Sequence, residues 1–99
     1  MITERSIVVL YLSEPREKFW GRLESLSQIG VHVRGLSLAM VTEWAREIIR
    51  GEEVSMGLST IFFPLHRVEK ILLDEDSGQA QSVRGEFLQI VGRDAEEFF

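Results

Sequence analysis

Apolar residues occupy both parities of the run Ile7-Val8-Val9-Leu10-Tyr11-Leu12. Side chains alternate between the two faces of a strand, so such a run is covered on both sides and belongs deep in a sheet or closed barrel. After a polar turn at Ser13–Lys18 containing Pro15, the stretch Phe19–Leu26 alternates. Phe19, Gly21 and Leu23 fall on one face, and Trp20, Arg22 and Glu24 on the other. Gly21 inside that run points to a bulge, a bend or a close backbone approach. A turn at Ser27–Gly30 leads to a third strand, Val31–Leu38, with His32 and Arg34 outward and Gly35 interrupting the period.

At Met40 the period changes from two to three or four. Met40, Trp44 and Ile48 stand beside Val41, Ala45 and Ile49, while Thr42, Glu43, Arg46, Glu47 and Arg50 fill the opposite side. The pattern predicts an amphipathic helix of about three turns closed by Gly51 in a left-handed cap. A loop over Glu52–Ser59 precedes strand character at Thr60–Phe63, and Pro64, which cannot donate to a ladder, ends it. Val68–Leu73 is read as the last strand. A helix opened by Pro64 competes, because Leu65, Val68 and Leu72 also have helical spacing. Asp74–Gly78 reads as an acidic tip. Phe87, Leu88, Ile90 and Val91 then suggest a short helix ended by Gly92, and Asp94 with Glu97 suggests a capping box for a last turn carrying Phe98 and Phe99.

Ninety-nine residues, 44% of them hydrophobic and 27% charged, fit one soluble globular domain over residues 1–99. There are no cysteines, which excludes a disulfide scaffold or a thiolate site and agrees with a cytoplasmic location. No run approaches the ~20 apolar residues that span a bilayer, so no membrane partner is expected. The net charge of −5 disfavours broad, non-specific nucleic-acid binding, in which neutralised phosphates supply the affinity.

Candidate chemistry is sparse. His32 and His66 alone do not make a zinc site, and no metal is expected. Asp74-x-Asp76-x-Gly78 lacks the later ligands of a calcium loop. Glu43 and Glu47 share a helix face with Arg46 and Arg50, which reads as a self-neutralising surface. No serine has a nucleophile's surroundings and no glycine loop cradles phosphate, so neither catalysis nor a cofactor is expected. His66-Arg67, on the turn after Pro64, could contact a phosphate or a base.

The order of short strands, the Phe19-x-Gly21-x-Leu23 bend, the Gly30-Val31-x-Val33 strand start and the closing Ile61–Leu73 pair resemble the Sm-like small β-barrel family. The resemblance implies a strongly bent five-stranded barrel that assembles into rings and binds uridine- or adenine-rich RNA. The family's RNA-holding Asp and Asn have no counterpart in Ser27-Gln28-Ile29-Gly30, and Pro64-Leu65 stands where a second motif has Arg-Gly. His66 falls near the His of the family's bacterial branch, with Leu65 at the position of its Lys. The helix at residues 39–50 would be an insertion.

The resulting expectation is an α+β, mainly β domain. A bent Sm-like or SH3-like barrel over residues 4–74 carries the inserted helix, and a helical tail follows at 80–99. Its expected role is that of a non-enzymatic assembly or interaction module. A homo-oligomer forms through Met40, Trp44, Ile48, Phe98 and Phe99, whose apolar mass exceeds what one small core hides. The alternative is an RNA-binding ring using His66, Arg67, His32 and Arg34.

Overall fold

In the computed structural model, which describes residues 1–51 and 57–99, the run Ile7–Leu12 forms strand β1. It is followed by β2 (Glu17–Leu26), β3 (Gly30–Ser37), β4 (Ser59–Pro64) and β5 (Val68–Leu73). The five make one antiparallel sheet ordered β4-β3-β2-β1-β5. Val68–Leu73 is thus a strand, which settles the helical alternative, and residues 52–56 of the expected loop lie outside the described residues.

β1 is paired on both sides, with Tyr11 opposite Lys18 of β2 and opposite Lys70 of β5. Both of its faces are covered. Ile7 and Val9 join Trp20 and Leu36 beneath the helices, whereas Val8, Leu10 and Leu12 join Phe19, Leu23, Val31, Val33 and Phe63 on the other face. That second core draws on all five strands, with Ile61, Val68 and Ile71 packed against it, and contains no helical residue. The sheet therefore curls around it. Among the described residues no ladder joins β4 to β5, so the sheet is open.

The bend has a local cause. Gly21 and Gly35 are opposed across β2 and β3. A Cβ on Gly21 would overlap the Arg34 carbonyl, and one on Gly35 the Trp20 carbonyl. Only glycine permits that backbone approach. A register shift between Leu23 and Ser25 adds to the curvature.

The helix α1 (Val41–Arg50) follows a 3-10 turn at Leu38–Met40, so Met40 precedes the helix rather than opening it. Val41, Trp44 and Ala45 are buried against the sheet, as the apolar rows required. Gly51 caps the helix at φ 68°, its N–H reaching the Ile48 carbonyl at 3.2 Å. Glu43 pairs with Arg50 at 3.1 Å, but Glu47 is buried and does not belong to the exposed charged surface expected of it.

The acidic segment after β5 is only partly a solvated tip. Asp74 accepts hydrogen bonds from Trp20 Nε1 at 3.0 Å, Val83 N at 2.9 Å and Arg84 N at 2.8 Å. It thereby satisfies the first two amides of α2 (Val83–Val91) and the indole of a fully buried tryptophan. Ser82 takes the third amide, that of Gly85, at 2.9 Å. Gly92 ends α2 at φ 81°. In the last 3-10 turn, Ala95–Phe98, Asp94 accepts from Glu96 N at 3.2 Å, while Glu97 pairs with Arg93 at 2.9 Å. The expected reciprocal capping box does not form, because the arginine holds that carboxylate.

Candidate functional site

The helices cover only part of their face of the sheet, and what they leave open is where the sequence placed chemistry. His32 and Arg34 alternate outward on β3 and lie opposite Phe62 and Thr60 of β4. The His32 ring packs on Phe62 with centroids 4.9 Å apart, and its Nδ1 sits 3.1 Å from Ser25 Oγ. Arg34 donates to Thr60 Oγ1 at 3.4 Å. These groups make a solvent-facing strip of one imidazole, one phenyl ring and one guanidinium.

His66 and Arg67 are elsewhere. They occupy the 3-10 turn Leu65–Arg67 between β4 and β5, where His66 is exposed. Arg67 is engaged structurally: Nε donates to the Ser13 carbonyl at 2.8 Å, and Nη2 to the Pro15 carbonyl at 3.2 Å and to Glu17 Oε1 at 2.9 Å. No hydrogen bond, ring contact or ion pair joins this turn to His32 or Arg34 among the described residues. The four residues form two separate places, not one pocket.

The residues expected at an oligomer surface also divide. Trp44 is 4% exposed and lies within the chain's own core, its ring centroid 5.1 Å from Phe87 and 6.0 Å from Phe98. Phe99 packs on Trp20 at 5.3 Å, and Ile48 and Phe98 are half-buried against the same cluster. Met40 alone is openly exposed, at 41%. The two terminal phenylalanines thus dock on their own domain, and the aromatic excess is absorbed largely inside it.

Periodicity did not reveal which apolar residues stay outside. Phe62 on β4 is 39% exposed and Leu72 on β5 is 41% exposed. By register Phe62 shares the face of His32 and Leu72 that of Val9, which is the helix side of the sheet for both. Leu26, Ile29 and Leu65 are exposed around the β2–β3 turn, where Leu65 N donates to the Ile29 carbonyl at 3.0 Å. The missing signal was strand order: among the described residues, Phe62 and Leu72 lie on the two strands with one neighbour each.

Away from these surfaces, Arg84 donates to Asp94 at 2.6 Å. That bond holds the Asp94 carboxyl below its ordinary range and the Arg84 guanidinium above its own. Among the described residues, no group of three or more His, Cys, Asp or Glu could hold a metal ion, and no helix is long and apolar enough to cross a membrane. No family model, no curated protein and no solved structure matches this chain.

Proposed function

We propose that this chain is a non-enzymatic assembly domain whose curled sheet behaves as an Sm-like or SH3-like barrel and joins copies of itself edge to edge. The observation that carries the reading is the pair of open margins. β4 and β5 are each six residues long, each has a free side among the described residues, and each presents a large apolar side chain on the same sheet face. An unpaired strand edge is a template for another strand. Pairing β4 of one copy with β5 of the next would extend the sheet and bring Phe62 beside Leu72. Such a contact is heterologous, so it repeats until a ring closes or a filament grows.

Sedimentation velocity at micromolar concentration tests this. The unaltered chain is expected to sediment heavier than 11.4 kDa, and Phe62→Asp or Leu72→Asp to shift it toward the single chain. A wild-type species of 11.4 kDa, or variants as heavy as wild type, would overturn the reading.

RNA binding is the second reading, and one observation favours it. The His32–Phe62 pair, its rings 4.9 Å apart and tilted by 49°, lies beside Arg34 and offers exposed aromatic faces with a cation, the combination on which unpaired bases stack. Titration with short uridine- and adenine-rich oligonucleotides at two salt concentrations tests it. Micromolar binding that weakens with salt and with Phe62→Ala supports it, and no binding at tens of micromolar ends it.

A further inference from the structure

Turn residues are ordinarily polar or glycine, yet two turns of this sheet carry isoleucine and leucine. Ile29, in the β2–β3 turn, is 73% exposed. Leu26 at the end of β2 and Leu65 in the β4–β5 turn are exposed as well. The fold brings the two turns together: Gly30 lies opposite Pro64, and Leu65 N donates to the Ile29 carbonyl at 3.0 Å. The Phe62 ring lies against Gly30, where any Cβ would overlap it, and extends the apolar patch onto β4. Neighbouring exposed apolar side chains of this kind mark a surface that something else covers.

Backbone pairing and charge together identify the cover. Ser27 N donates to the Gly30 carbonyl at 2.9 Å, the Ser27 hydroxyl accepts from Ile29 N at 3.3 Å, and the Ile29 carbonyl is taken by Leu65. A partner strand would need those groups free. A hydrocarbon surface, which offers polar groups no partner, needs them occupied. Charge points the same way. None of the chain's 16 acidic side chains falls in residues 25–42 or 57–68, the stretches that hold β3, β4 and both turns. The same stretches carry His32, Arg34, His66 and Arg67. Among the described residues Arg34 bonds only the Thr60 hydroxyl, and Glu24, the carboxylate nearest Leu26 in sequence, is held by Arg22 at 2.9 Å. On a chain of net charge −5, the tip is thus built from segments without the carboxylates that lipid phosphates repel.

We propose that the tip formed by Leu26, Ile29 and Leu65 enters the interfacial layer of a lipid bilayer, so that the domain sits on a membrane surface without crossing it. The three apolar side chains leave water for the boundary between headgroups and acyl chains, on a turn whose amides do not have to be stripped of water first. So few side chains give a reversible contact, because stable anchoring takes more apolar burial than they provide. The proposal stands apart from the assembly reading, since none of the three residues belongs to β4 or β5.

Co-sedimentation of the full chain with phosphatidylcholine vesicles, with and without phosphatidylglycerol, tests it. The chain is expected to bind both, more tightly with phosphatidylglycerol at low salt, and to keep its binding to phosphatidylcholine at high salt. Ile29→Ser and Leu26→Ser should each weaken binding about five- to tenfold, the effect of returning one such side chain to water. Leu88→Ser, an exposed leucine on α2, should leave binding unchanged. Amide NMR with lipid nanodiscs carrying a spin-labelled lipid should broaden residues 26–30 and Leu65 most, and the lipid-free spectra confirm that each variant is folded. No binding to either vesicle, binding unchanged in both serine variants at the tip, or binding that needs phosphatidylglycerol and vanishes at high salt would overturn the insertion. So would a lipid-free oligomer that falls to 11.4 kDa in Ile29→Ser, which would assign the patch to a second copy.

Discussion

Replacing Asp74 with alanine removes three hydrogen bonds to one carboxylate, and the three losses are unequal. The amides of Val83 and Arg84 lie at the start of α2, where water can partly replace the acceptor. Losing the negative charge from the positive end of the helix costs about 0.3–1 kcal/mol. The Trp20 indole cannot be rescued in this way, because that residue is fully buried. An orphaned buried donor costs about 1–3 kcal/mol. With the weakened amide bonds included, the total is about 2–4 kcal/mol, a large share of the roughly 5–15 kcal/mol typical of a domain. At roughly 4–8 °C per kcal/mol, that lowers Tm by about 8–30 °C. Urea denaturation followed by tryptophan fluorescence measures it. Asp76→Ala, which removes one exposed bond to Ser82 N at 2.8 Å, is the control and should stay within about 1 kcal/mol of wild type. Asp74→Asn, which keeps an acceptor but loses the charge, should fall between. An Asp74→Ala chain as stable as the control would refute the idea that this carboxylate ties β5, Trp20 and α2 together.

Gly35→Ala should destabilise by about 1–3 kcal/mol or prevent folding, because the added methyl meets the Trp20 carbonyl and the Gly21 backbone, not a side chain that can move; a denaturation midpoint within error of wild type would contradict the close approach. The Arg84–Asp94 pair predicts a modest acid dependence. The Asp94 carboxyl is held below 3.8 in the folded chain, so its contribution is present above that value and is lost as pH falls through the lower folded one. Both partners are about two-fifths exposed, so screening keeps the effect within about 1 kcal/mol. Asp94→Asn should flatten the stability profile below about pH 4, measured by denaturation across pH, and an unchanged slope would deny the pair any role.

The strands were legible because burial writes itself into alternation. β1 is apolar at both parities, since the sheet has a core on each face, and Gly21 marked the bend from within its own strand. The helix face of α1 was legible for the same reason. What periodicity could not supply was long-range geometry. Trp44 in an apolar row looks alike whether it meets a partner or its own Phe87, and only the docking of α2 and the last turn decides for the latter. Asp74 sat in an acidic run that looked like a solvated tip. Its role depends on a tryptophan 54 positions earlier. The Lys18–Tyr11–Lys70 row needed a strand order, with β5 beside β1, that no local pattern states.

The margins of β4 and β5 carry the central claim, and amide hydrogen exchange at two protein concentrations tests them most directly. If copies join edge to edge, the outward-facing amides of residues 59–63 and of Val68–Leu73 exchange more slowly as concentration rises, while the paired amides of β1 and β2 keep their rates. Exchange at both margins that is fast and independent of concentration, from a species of 11.4 kDa, would contradict the account.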